Sequence, residues 1–212
     1  GHTDLYFYNG GVSLEYDTTY IYFGGIPLDS VPDLLIPSVP HGSQSAQPRT
    51  HGDVNGDGYE DFLTSNHYVT PTTYIYLGGD TPDSLPDYEW YDFRSDRVTL
   101  ECNLNGDASA DLVLGRSLHM EVHFGGNALS PAPNYSLDFP GCSIGPTEMF
   151  SAGDFNGDGY GDLAATSQDC PLGGRLQIYL GHPWLNPEPV LTVDDMMPPL
   201  YLDGIHVAVG LG

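Results

Sequence analysis

The stretch Asp154-Phe-Asn-Gly-Asp-Gly-Tyr-Gly-Asp162 decides how the rest of the chain is read. Two earlier stretches match it: Asp53-Val-Asn-Gly-Asp-Gly-Tyr-Glu-Asp61 and Asn103-Leu-Asn-Gly-Asp-Ala-Ser-Ala-Asp111. Their starts lie 50 and 51 residues apart. A fixed period of this size points to a propeller or a solenoid. An apolar run follows each stretch: Phe62-Leu63, Leu112-Val113-Leu114 and Leu163-Ala164-Ala165. A second strand ending in glycine comes next: Tyr74–Gly78, Glu121–Gly125 and Gln177–Gly181. A Pro-rich connector then leads to a third apolar piece, at Tyr88–Phe93, Tyr135–Phe139 and Val190–Val193. The strands that enter the later two loops, Val98–Cys102 and Met149–Ala152, complete a unit of about four short strands bounded by turn residues. Nothing of useful length has helical periodicity.

The loops place oxygen-bearing side chains at their first, third, fifth and ninth positions: Asp53, Asn55, Asp57 and Asp61; Asn103, Asn105, Asp107 and Asp111; Asp154, Asn156, Asp158 and Asp162. Calcium is a hard cation that takes 6–8 oxygens, and alternate residues of a tight loop can aim theirs inward. The seventh residue, Tyr59, Ser109 or Tyr160, would contribute its main-chain carbonyl, leaving its side chain to vary. Glycine at the fourth and sixth positions allows the positive φ of such a turn. Magnesium demands a stricter octahedron, and the loops hold no His or Cys for zinc. An EF-hand would need a Glu at position twelve, where Thr64, Leu114 and Ala165 stand. Bare carboxylates packed this closely repel one another without a cation. Loop two begins with Asn103 and has Ala108 in place of glycine, so it is expected to bind calcium most weakly.

The ends read as a fourth unit cut in two. Gly1–Leu5 aligns with Gly159–Leu163, and Tyr20–Gly24 is its second strand. Gly204–Gly212 resembles a strand entering another acidic loop. The expectation is one repeat domain over residues 1–212, with approximate units 1–52, 53–102, 103–153 and 154–212, the first and last sharing the split blade. Leu5–Tyr8 and Ile205–Val209 are expected to pair as antiparallel strands, within one chain or between successive chains, since free edges of that composition are sticky. The start at Gly1, with no Met or signal peptide, suits a mature chain, a processed product or an excised segment.

With these loops, and with Phe23-Gly24-Gly25, Leu77-Gly78-Gly79 and Phe124-Gly125-Gly126, the chain resembles the FG-GAP repeats of integrin α-subunit propellers and of many secreted bacterial proteins. The resemblance implies an all-β, β-propeller-like array in which each repeat is a four-stranded blade with calcium in the hairpin between its first two strands. The family's Gly-Ala-Pro element has no counterpart here, and the usual ring has seven blades where this chain has four units. Two arrangements follow: a closed four-bladed ring, which is preferred, or a segment of a larger ring or fibre.

Composition limits the partners. Five Lys+Arg against 29 Asp+Glu give a net charge of -24, and the chain has no lysine. Such a surface repels nucleic acid and anionic lipid. Hydrophobic residues at 40% and aromatics at 12% suffice for a core and exclude the disorder that such a charge usually signals. No run approaches the length of a membrane span. Tyr20, Tyr22, Tyr74, Tyr76 and Tyr179 alternate along strands and are expected to pack between blades.

Three cysteines remain to be placed. Cys102, just before loop two, reads as a core residue. Pairing Gly153 with Leu163 in the hairpin around loop three, and walking outward, brings the Cys142 region opposite Cys170. A disulfide there implies an oxidising compartment, hence a secreted or cell-surface protein. Asn134-Tyr135-Ser136 is an N-glycosylation sequon. His119 and His123 flank one strand and read as ordinary strand residues. No nucleophile elbow, phosphate loop or catalytic Cys/His pair is present, so no enzymatic role is expected. The expected function is a calcium-stabilised extracellular module with an adhesive, scaffold or fibre-forming role, joining copies of itself end to end. The alternatives are a propeller that binds a glycan or protein ligand, and an accessory domain of a larger secreted enzyme.

Overall fold

The computed structural model describes residues 4–9, 18–24, 29–37, 44–66, 72–91, 97–143, 145–171 and 173–194. All regular elements among them are strands: β1 (Leu5–Asn9), β2 (Thr18–Tyr22), β3 (Leu34–Pro37), β4 (Gln44–Gly52), β5 (Asp61–Asn66), β6 (Thr72–Tyr76), β7 (Tyr88–Tyr91), β8 (Val98–Cys102), β9 (Asp111–Gly115), β10 (His119–His123), β11 (Tyr135–Asp138), β12 (Glu148–Gly153), β13 (Asp162–Cys170), β14 (Gly173–Tyr179) and β15 (Leu191–Asp194). β-Branched and aromatic runs such as Thr72-Thr-Tyr-Ile-Tyr76 form the strands, and Gly, Pro and Asp clusters end them.

The strands form four meandering sheets in which each strand neighbours the next in sequence: β1-β2-β3, β4-β5-β6-β7, β8-β9-β10-β11 and β12-β13-β14-β15. This is the blade-like, all-β architecture that the repeats predict. The first sheet has three strands among the described residues, and no strand from the other end of the chain completes it there. The expected pairing with Ile205–Val209 lies outside the described residues, so closure into a ring is not formed among those described.

Each acidic loop joins the first two strands of its sheet. The strand before it bends on entry. Register shifts fall between Thr99 and Cys102 in the third sheet, and between Ser151 and Gly153 in the fourth. The second of these corrects the expected hairpin: Gly153 faces Asp162, and Leu163 faces Ser151. The extra residue of a β-bulge moves the pairing by one. The second strands also stop short of the glycines thought to end them. β6 ends at Tyr76, β10 at His123 and β14 at Tyr179. The amide of each following glycine goes to a carboxylate instead of to the strand ladder, as described below.

The chain divides into two compact units, residues 1–51 with 58–96 and residues 52–57 with 97–212. In the first, Ile21, Ile36 and Tyr76 form a core with Leu34, Phe62 and Tyr74 against it. Phe62 stacks on Tyr76 at 4.9 Å between ring centroids. Trp90 is buried in the same unit. In the second, Cys102, Leu104, Val113, Met120, Val122, Leu137 and Phe139 from the third sheet meet Met149, Leu163, Ala165, Tyr179 and Leu185 from the fourth. Alternation along β10 explains which side does this: Met120 and Val122 point into the core, and His119, Glu121 and His123 take the opposite face. Cys102 is buried and free, with its thiol pushed up to about 12 by that burial. Cys142 and Cys170 form a disulfide. Among the described residues no helix is long and apolar enough to cross a membrane.

Candidate metal centre

Loop three shows how the side chains shape the turn. Asp154 Oδ1 accepts the amides of Gly157 and Asp158 at 2.7 and 2.9 Å, and its Oδ2 accepts that of Gly159 at 2.9 Å. Asn156 Oδ1 accepts the Asp158 amide at 3.0 Å while its Nδ2 donates to Asp158 Oδ2 at 2.8 Å. Asp158 Oδ1 in turn accepts the Tyr160 amide at 3.0 Å. Each short polar side chain thus holds an amide two to five residues on, which is why Asp and Asn alternate here. The donors from Asn156 and Tyr160 hold the exposed Asp158 carboxyl below the usual carboxylate range. Gly157 and Gly159 adopt φ of 78° and 94°, which a side chain would resist.

Loop one repeats the pattern. Asp53 Oδ1 accepts from Gly56 and Asp57, and Asn55 bonds Asp57 through both its oxygen and its nitrogen. Loop two differs at its first residue. Asn103 Oδ1 accepts the Gly106 amide at 2.9 Å, and its Nδ2 donates to the Asp107 carbonyl. Where Asp154 offers two oxygens, Asn103 offers one oxygen and a donor already committed to the loop. Asn105 and Asp107 otherwise match their counterparts, and Asp107 Oδ1 accepts the Ser109 amide at 2.7 Å.

The ninth-position aspartates have a second task. Asp61, Asp111 and Asp162 are fully buried. Their Oδ1 atoms accept the amides of Gly78, Gly125 and Gly181 at 2.7, 2.9 and 2.8 Å. In the later two loops Oδ2 also takes the amide of the second residue, Leu104 at 2.6 Å and Phe155 at 2.7 Å. The buried carboxylate is therefore a strut that ties the loop's start to the end of the next strand. Burial pushes the Asp111 carboxyl up to about 6, against the amides of Gly125 and Leu104, which favour its charged form. Asp4 makes the same bond to the Gly24 amide at 2.7 Å, so the first sheet carries the back half of this device.

The seventh residues are less free than their sequence suggests. Ser109 Oγ lies 2.7 Å from where a Cβ on Gly56 would sit, and the Tyr160 ring lies 2.5 Å from the corresponding point on Gly106. Tyr160 also meets the His182 ring at 5.4 Å. Tyr59 donates from its hydroxyl to Asp80. Single-loop reading missed these contacts; the glycine held at the fourth position of every copy was the available signal.

Residues 150–169, which span the end of β12, loop three and most of β13, match the family model described as FG-GAP repeat. This segment is similar to an FG-GAP repeat. No curated protein matches the chain. The family implies calcium in the loop of the repeat, and the donor chemistry there suits it: Asp154, Asn156 and Asp158 offer hard oxygens only. A carboxylate has roughly four lone-pair sites, so the amide bonds do not exhaust these groups. Among the described residues no three His, Cys, Asp or Glu side chains converge as a metal-holding group; an ion held in these loops would need Asn and main-chain oxygens to complete its ligands.

The sequon residue Asn134 is exposed, and its Oδ1 accepts the Phe124 amide at 2.8 Å. Asp33 and Asp87 hold Phe23 and Leu77 in the same way. The connector thus accounts for an Asx residue here by itself. His119 and His123 both approach Glu121, at 3.6 and 3.9 Å, and Arg116 pairs with the same carboxylate at 2.9 Å.

Proposed function

We propose that this chain is a calcium-stabilised, extracellular repeat module with a structural or adhesive role, joining end to end through its blades. The observation that carries this reading is the turn network repeated in three loops, each setting Asp and Asn side chains at alternate positions of a tight turn. Asp154, Asn156, Asp158, Asp162 and the main-chain carbonyl of Tyr160 would hold calcium in loop three. Asp53, Asn55, Asp57, Asp61 and Tyr59 would do so in loop one, and Asn103, Asn105, Asp107, Asp111 and Ser109 in loop two. Bound calcium supplies positive charge to a chain of net charge -24 and locks the turns. The Cys142–Cys170 disulfide supports an oxidising, extracellular setting. In that setting Asn134 is a candidate glycan acceptor.

Thermal melts in calcium and in EDTA test the reading. Calcium at a hundred times its Kd should add about 2.7 kcal/mol for each site that only the native state forms, and the midpoint should rise accordingly. Asp57→Ala or Asp158→Ala should remove more of that gain than Asp107→Ala, because Asn103 has already weakened loop two. Superimposable melts in calcium and EDTA would refute the calcium role.

A second reading, a ligand-binding propeller, draws on Trp184, which is 78% exposed two residues after the His182 that packs on Tyr160. Exposed aromatics suit sugar faces, and a glycan array with the wild type and Trp184→Ala separates the two.

A further inference from the structure

Among the described residues, the loops of the second unit stack in register, and the stack has one uncovered end. Loop two closes on the start of loop one: Ala110 N donates to the Asp53 carbonyl and Gly126 N to the Val54 carbonyl, both at 2.7 Å. Loop three closes on loop two in the same way. Gly161 N donates to the Asn103 carbonyl at 2.9 Å, and Gly181 packs so tightly that a Cβ on it would lie 2.8 Å from the Leu104 carbonyl. These contacts bury the second residue of each covered loop, leaving Val54 0% and Leu104 1% exposed. The same position in loop three is Phe155, which is 59% exposed. Gly157 has nothing within 4 Å of where its Cβ would sit, although its counterparts Gly56 and Gly106 are covered by Ser109 and Tyr160.

We propose that the loop-three face around Phe155 and Gly157 is a docking surface for the β1-β2-β3 sheet of a second copy of this chain. What covers the two earlier loops is a glycine corner following a second strand, its amide fixed by a buried aspartate: Gly125 by Asp111 and Gly181 by Asp162. The first sheet presents a similar corner, with Gly24 fixed by Asp4, which is exposed rather than buried. Phe155 is apolar, as Val54 and Leu104 are, so the covered and uncovered positions match in kind. The two surfaces differ, which makes the contact heterologous and able to propagate from copy to copy. A charge of -24 on each copy opposes the approach, so association needs salt or calcium to screen or neutralise the acids. This inference rests on the end-to-end reading above and names the surface for it.

Sedimentation velocity on the full chain in calcium tests the proposal, with thermal melts run alongside. The wild type should sediment faster as concentration rises. Phe155→Asp and Gly24→Val should each sediment as monomers and keep their calcium-dependent rise in melting midpoint. Mixed in equal amounts they should give a species of twice the monomer mass, because each retains the surface that the other has lost. A wild type that stays monomeric at every concentration overturns the proposal, whatever the variants do. So does a Phe155→Asp that assembles as the wild type does. Calcium binding is read separately from the melts, so assembly can fail while the calcium role stands, and the reverse.

Discussion

Two kinds of aspartate share each loop, and their environments predict opposite behaviour. Asp162 is buried with two amides on its carboxylate, whereas Asp158 is exposed on the turn. Asp162→Ala leaves the Phe155 and Gly181 amides without their acceptor. At about 1–3 kcal/mol for each unsatisfied buried group, this should cost about 2–6 kcal/mol in urea unfolding in EDTA, with any lost calcium binding adding to it when calcium is present. Asp158→Ala should cost far less in EDTA and show its main loss only when calcium is present. Equal losses for the two in EDTA would mean that Asp162 is not a strut.

His123 gives a pH signature at the same scale. Its Nδ1 lies 2.9 Å from the Ser130 carbonyl, which can only accept, so Nδ1 carries the proton and donates. Burial holds the imidazole below its ordinary value; the Ser130 carbonyl and the Glu121 carboxylate oppose this, and Arg116 adds to it. The unfolded chain takes up a proton near pH 6.5, while the folded His123 stays neutral to lower pH. The unfolded state therefore binds more protons in that window, and stability present above it is lost as pH falls through it. The acids make a background of opposite sign, since protonating them relieves repulsion. The measurable quantity is the difference between the wild type and His123→Gln in urea midpoint, which should shrink on acidification from neutral pH to about 5.

Among the elements, the loop is the unit of design, and its neighbours are part of it. Gly106 has φ of 75° and the Tyr160 ring over it, whereas Gly159 has φ of 94° and open space. Gly159→Ala meets only the backbone term, about 1–2 kcal/mol. Gly106→Ala meets that and the ring, and overpacking adds about 1–3 kcal/mol. In a Tyr160→Ala background the extra cost at Gly106 should vanish; a double-mutant cycle measures that coupling. The loops and most strands were legible in the sequence because period, Asx alternation and terminal glycines are local signals. The bulge at Ser151–Gly153 was not, since a one-residue shift leaves the apolar pattern almost unchanged. The buried strut role of Asp61, Asp111 and Asp162 was hidden by residue type: a sequence position shows a carboxylate but not which amides surround it. The Cys142–Cys170 pair emerged correctly despite the register error because Cys142 sits in a turn with latitude beyond the paired residues.

At the scale of the whole chain, the division into two compact units places one of its two tryptophans in each. Trp90, in residues 58–96, is 5% exposed, and Trp184, in residues 97–212, is 78% exposed. The molecule thus contains two indole fluorophores in opposite surroundings, which excitation beyond the tyrosine band reads apart from its 15 tyrosines. Trp184 should emit at long wavelength and be quenched readily by acrylamide. Trp90 should emit at shorter wavelength and resist the quencher until its own unit opens. In Trp184→Phe the remaining indole emission is a single reporter on residues 1–51 and 58–96, and its red shift in urea times the opening of that unit. Far-ultraviolet circular dichroism follows strands of both units at once. Coincidence of the two transitions would mean that the units unfold together, and separation that each melts on its own.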